Sequence, residues 1–186
     1  MATWVERRRF NVHDYHCMAE AGILLEDDRV ELIDGEIVEM SPIGSRHAAC
    51  VSRLVALLTN RLGSSAVIFP QNPVRLGDFL EPQPDIAVLR PRTDYYASAL
   101  PGPADVLLLV EVAETSLRYD REVKLPLYSA TGIQEVWIVD LVNERIEQYG
   151  DPKEGIYRTT MEAQRGMAVR SVALPLIDLD VDSLLG

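Results

Sequence analysis

Two short, continuous apolar runs, Ile86–Leu89 and Val106–Val110, organise this chain. Runs this short and rich in branched side chains predict strands buried on both faces of a sheet. Each carries a carboxylate at one end. Asp85 opens the first run, and Glu111, followed by Val112, closes the second. A charge there is costly unless it is paired or bound to a cation. If the strands are antiparallel neighbours, the start of one faces the end of the other, and the carboxylates can meet. Two carboxylates in one place share a proton or hold a metal.

The remaining pattern predicts the surrounding elements. Asn11 or Asp14 is placed to cap a helix running to about Glu20, ended by Ala21-Gly22. His13 and His16 lie on it and read as surface histidines. In residues 29–40, Asp34-Gly35 is the preferred pair for a type I′ turn between β-rich arms. That register pairs Leu32 with Ile37 and sets Glu31 opposite Val38. Glu31, Glu36 and Glu39 are candidate acids whose plainer reading is a solvated face.

Ser45 is placed to cap a helix over about 46–62, with Val51, Leu54, Val55, Leu58 and Leu62 as its apolar stripe and Gly63 at its end. His47, in its first turn, reads as a surface histidine rather than a base. Residues 66–76 predict a strand broken at Pro70 and Pro73, and 90–103 a long surface connection. Asp120 is placed to cap a helix that carries Lys124 back over the sheet, and Pro126 inside it predicts a late start or a kink. Residues 134–140 and 145–149 predict paired strands. Tyr157–Thr160 and Ala168–Val172 predict edge strands, and the tail from Leu174 a segment packed along one edge.

Composition narrows the class. With 186 residues, 47% of them apolar and 25% charged, the expectation is a single domain over 1–186. Residues 1–9, ending in Arg7-Arg8-Arg9, read as a solvated arm. No signal-like apolar region opens the chain, and no run approaches the roughly 20 residues of a membrane span, so a cytoplasmic protein is expected. Cys17 and Cys50 make no disulfide framework. The net charge of −11 opposes broad binding to nucleic acid, which needs a basic face. Local basic clusters, or metal at the acidic site, would have to answer it.

The candidate constellation is Asp85, Glu111, the Val112 carbonyl, Lys124 and Glu31. Two carboxylates and a carbonyl are hard donors that suit Mg²⁺ or Mn²⁺. Such an ion acidifies bound water and clamps a phosphate oxygen. A nearby lysine orients the attacking water and offsets charge on phosphorus. From the residues alone a second reading stands beside this one: Asp85 caps a loop, Glu111 pairs with Lys124, and nothing binds. Neither a Gly-rich phosphate loop nor a Gly-x-Ser-x-Gly elbow competes.

Five blocks in this order, Val30–Pro42, Pro84–Val88, Leu109–Val112, Tyr119–Tyr128 and Gly132–Asp140, resemble the Uma-type restriction endonuclease family of the PD-(D/E)xK nuclease superfamily. The resemblance covers roughly residues 10–182. It implies an α/β fold of mixed α+β type, restriction-endonuclease-like, with a central mixed sheet flanked by helices, an N-terminal hairpin, and the site at one sheet edge. It matches Asp85 to the Asp of the PD motif and Glu111 to the Glu of the ExK motif. Position 113 is Ala where the superfamily has Lys, and the resemblance implies that Lys124 on the following helix takes that place. Glu31 matches the acidic position of the first hairpin. Gln71 is a weaker candidate. Asp120 and Glu122 fall in the Tyr-Asp-Arg block, where capping explains Asp120 equally well.

The implied function is a Mg²⁺-dependent (or Mn²⁺-dependent) DNA endonuclease, a phosphodiesterase. Asp85, Glu111 and the Val112 carbonyl would hold the metal, Lys124 would position the water, and Glu31 would serve a second metal or water. Related nucleases often form homodimers. Two alternatives remain open: a non-catalytic acidic interaction or regulatory domain that keeps the nuclease fold, and a metal-dependent hydrolase of another phosphate ester. Asp85→Ala or Lys124→Ala is expected to abolish cleavage with folding intact.

Overall fold

Asp34 and Gly35 both take positive φ, 50° and 80°, as a type I′ turn requires. β1 (Val30–Ile33) therefore folds back on β2 (Glu36–Glu39), with Leu32 opposite Ile37 and Glu31 opposite Val38 as expected. The structure is a computed structural model that describes residues 7–25 and 27–186. Residues 1–6 of the expected arm lie outside the described residues. The rest of that arm is held rather than free. Arg9 pairs with Asp34, its guanidinium stacks 4.5 Å over the Phe79 ring, and Phe10 N donates to Gly35 O at 2.9 Å.

α1 (Val12–Glu20) opens on a reciprocal cap, Asn11 accepting from Asp14 N and Asp14 from Asn11 N. α2 (Ser45–Leu62) is capped at Gly44 without a side-chain bond, so Ser45 is its first helical residue and not its cap. Most of the predicted stripe is the buried face, Val51, Leu54, Leu58 and Leu62, joined by Cys50, while Val55 is half-buried against it.

The main sheet has the order β3 (Val67–Pro70), β4 (Ile86–Leu89), β5 (Val106–Ala113), β6 (Glu135–Asp140), β7 (Arg145–Lys153), β8 (Ile156–Gln164). It is mixed, because β5 and β6 run parallel while every other neighbouring pair is antiparallel. All four residues of β4 are fully buried, as a run of this kind predicts. Alternate strand residues enter opposite layers. Ile86, Val88, Val110, Val112 and Val139 pack against α2 and the tail, while Ala87, Leu109 and Val136 pack against Ile33, Tyr128 and Ile133. Each such Val, Leu or Ile contributes about 1.5–3 kcal/mol. That is the background against which two strand-end carboxylates are tolerated.

Three expectations need correction. The helix after β5 begins at Leu117, not at a cap on Asp120: α3 (Leu117–Tyr119) passes into a π-helical turn over Asp120–Lys124, then α4 (Leu125–Ala130). Leu125 N donates to Asp120 O, five residues back, and this wider turn accommodates the missing N–H and the ring of Pro126 without a late start. β9 (Ala168–Arg170) does not edge the main sheet. It pairs with β10 (Asp178–Asp180) in a separate two-stranded sheet, and β8 is the edge. The tail does not follow an edge either. α5 (Val181–Leu185) and Ile177 close the α2 layer, and Arg53 donates to Leu184 O at 3.0 Å. The 90–103 connection is largely exposed, though Tyr96 turns inward with its hydroxyl on Arg90 O. Cys17 and Cys50 are both free thiols. No helix among the described residues is long and apolar enough to cross a membrane.

Candidate active site

β4 and β5 run antiparallel with Ile86 opposite Val110, which brings Asp85 to the level of Glu111 and Val112. Asp85 Oδ2 accepts from Val112 N at 2.8 Å and lies 3.0 Å from His47 Nε2. Gln71 Nε2 donates weakly to Oδ1 at 3.4 Å, so Gln71 is beside the site. In a strand, the N–H and C=O of one residue point the same way. Val112 therefore turns its carbonyl towards the space before β4, whereas Ala113 O points the other way and accepts from Leu141 N.

His47 departs from its surface reading. Its side chain is only 14% exposed, because the first turn of α2 lies over the start of β4. Its hydrogen bond to Asp85 raises its pKa, against the opposing effect of burial. Helical periodicity placed this residue correctly on α2 but carried no sign of the strand end opposite it.

Lys124 gathers the acids from the other side. Its Nζ lies 3.1 Å from Glu31 Oε2 and 3.4 Å from Glu111 Oε1. The Tyr128 hydroxyl donates to Glu111 Oε1 at 2.5 Å, and Gln83 N donates to Glu31 Oε2 at 3.1 Å. Glu31, Glu111 and Lys124 are all buried. The solvated-face reading thus fails for Glu31, although it holds for the exposed Glu36 and Glu39. The bridge between Leu32 and Glu81 holds the hairpin to the body of the protein. Asp120 is buried beside this group and accepts from Ser116 Oγ at 2.7 Å. Glu122 points away and pairs with Arg118 at 2.9 Å.

Burial pushes the Glu111 carboxyl up to about 8, with Lys124 opposing the rise. Burial raises Asp120 too, against Lys124 and the Ser116 bond. Burial also works against the Lys124 charge, but Glu111, Glu31 and Asp120 outweigh it and hold the amine above its ordinary value. Tyr128, buried beside Glu111, stays neutral and donates.

Glu31, His47, Asp85, Val112, Asp120 and Lys124 border a cleft of about 410 Å³, with Glu111 buried behind Lys124. Its described lining carries the acids Glu31, Glu39, Asp85, Glu114 and Asp120, and only Arg29 and Lys124 as permanent cations. No basic cluster answers the charge of the chain here. A divalent cation would, and the donor chemistry fits one. Among the described residues no three His, Cys, Asp or Glu side chains converge closely enough to hold a metal by themselves. Two carboxylates and a carbonyl nevertheless suit Mg²⁺, which binds through one or two carboxylates and keeps several waters. Lys124 and Tyr128 both engage Oε1 of Glu111.

Comparison with known proteins follows the same line. The family model Uma2, described as "Putative restriction endonuclease", matches residues 12–182. The crystal structure of a nuclease of the DUF820 family from Anabaena variabilis, itself described as putative, is similar with a TM-score of 0.70. The two share 19% identity over 89% of this chain and 95% of that one, a likeness of fold. No curated protein matches the chain.

Proposed function

The chain belongs to the Uma2 family, and on that premise we propose that it is a metal-dependent endonuclease that hydrolyses phosphodiester bonds of DNA. One observation carries the reading: Asp85 accepts from Val112 N and is set level with Glu111 at the junction of two antiparallel strands, with Lys124 3.4 Å from Glu111. Asp85, Glu111 and the Val112 carbonyl would hold Mg²⁺ or Mn²⁺, which supplies an acidified water and a clamp on a phosphate oxygen.

The protein's own groups do the positioning. His47 fixes the Asp85 carboxylate from α2, and Tyr128 fixes that of Glu111 from α4. Lys124, kept protonated by its acids, orients the attacking water and offsets negative charge developing on the phosphoryl oxygens. Glu31 holds the ammonium from the hairpin side, and Gln83 N holds Glu31. Free thiols suit a reducing cytoplasm as the site of action.

A second reading is favoured by the acidic cleft: an interaction domain that keeps the fold, in which Lys124 simply neutralises Glu31 and Glu111. Cleavage of supercoiled plasmid with Mg²⁺ or Mn²⁺, run beside Asp85→Ala, separates the two. Metal-dependent nicking that the variant lacks is the expected result. No nicking of varied plasmids, together with no stabilisation by either ion, would favour the interaction domain.

A further inference from the structure

The two edges of the main sheet are built differently. β3 has four residues and ends at Pro70, which has no N–H to offer another strand. β8 has nine residues and no proline. It pairs with β7 without a register shift from Arg145–Gln164 to Gly150–Thr159, and residues 158–162 are exposed throughout. A long, regular, uncovered edge of this kind is a template for another strand.

We propose that β8 docks a second copy of this chain, strand against strand and antiparallel, about a two-fold axis at Thr160. The charge pattern of the strand picks the partner and the register. β8 carries two charged residues, Arg158 and Glu162, placed symmetrically about Thr160. Pairing about that residue sets Arg158 opposite Glu162 of the second copy, and Glu162 opposite its Arg158. Opposite charges directly across a strand pair attract, and like charges there repel. The same register sets Thr159 against Met161 and Tyr157 against Ala163.

Glu162 is already held beside the edge, its Oε2 3.1 Å from Arg145 Nη1 and its Oε1 accepting from Gln164 at 3.1 Å. A carboxylate has about four lone-pair sites, so a further guanidinium can still bind. The exposed Met161 and Val172 border a groove of about 400 Å³ over the β6–β8 face of the sheet, next to this edge. The proposal does not rest on the nuclease reading.

Light scattering across micromolar concentrations tests it, with circular dichroism to verify folding of each variant. The wild type is expected to reach about twice its chain mass of 20.8 kDa. Arg158→Glu or Glu162→Arg is expected to weaken association roughly tenfold or more. The double exchange, Arg158→Glu with Glu162→Arg, is expected to restore it, because the charges are then opposed again with the ends reversed. A wild type that stays monomeric overturns the proposal. So does a dimer indifferent to the single reversals, which uses another surface, or one that the double exchange fails to restore.

Discussion

The ammonium of Lys124 lies 3.1 Å from the Glu31 carboxylate, joining the first hairpin to the π-helical turn behind β5. The same nitrogen reaches Glu111. One buried cation thus ties together three separate parts of the fold, and its removal has consequences beyond chemistry.

Lys124→Ala leaves Glu31 buried without its cation and removes the charge that opposes the rise in the Glu111 pKa. Breaking a buried pair from one side costs about 3–5 kcal/mol. For a chain of this size that lowers Tm by roughly 10 °C. The variant is therefore expected to lose both cleavage and stability at neutral pH, unlike the intact fold that the sequence suggested. Thermal unfolding beside the plasmid assay checks this. A Tm equal to that of the wild type would show that the pair is worth little.

Stability of the metal-free protein should fall as pH rises. Burial holds Glu111 at about 8, above the ordinary value of a glutamate. Between roughly pH 4.3 and that value the native state keeps a proton that the unfolded chain has lost. The contribution is complete below the unfolded pKa and is lost as pH climbs through the folded one. His47, raised by its bond to Asp85, has the same sign, its share lost as pH rises above roughly 6.5. Denaturant titrations from about pH 5 to about pH 9, above the range in which the lowered carboxylates such as Asp140 and Glu147 titrate, should show the decline, and Glu111→Gln should reduce it. A rise in stability over that range would contradict the assignment.

Metal should bind at the strand junction, and more tightly as pH rises, because the Glu111 carboxyl must release its proton. At about 100 times Kd, Mn²⁺ would stabilise the fold by about 2.7 kcal/mol, a Tm increase of roughly 5–10 °C. Asp85→Asn keeps the Val112 N–H bonded but removes a charged ligand, and is expected to abolish the shift. An equal shift in wild type and variant would place the ion elsewhere.

On the proposed function, His47 would contribute by fixing Asp85, whose Oδ2 lies 3.0 Å from its Nε2. His47→Ala should reduce cleavage about 10–100-fold, as loss of a group that orients a ligand commonly does. The fold should remain, since the residue sits at a helix start and packs no core. Calorimetry with Mn²⁺ should show affinity falling in parallel, and unchanged affinity would remove the positioning role.

Much of this was legible in the residues themselves. Asp34-Gly35 announced its turn and register, because only residues tolerant of positive φ fit there. The runs beginning at Ile86 and Val106 announced strands buried on both sides, and their end carboxylates were the first candidates. Glu31 and His47 were different. Their local patterns describe a hairpin and a helix correctly, yet say nothing of what lies across from either side chain. Asp120 was misplaced for a related reason: the signal for a cap is a residue type at a helix start, and the start lay three residues earlier, at Leu117.

By itself, then, the sequence determined most of the elements and put Asp85 and Glu111 at the ends of two buried strands. Turn chemistry, apolar period and strand-end charge act between near neighbours in the chain. Only the tertiary structure decided that Glu31 is buried on Lys124, that His47 faces Asp85, and that β8 rather than β9 forms the open edge of the sheet. Those outcomes depend on which distant segment covers a given face, and packing between segments sets that.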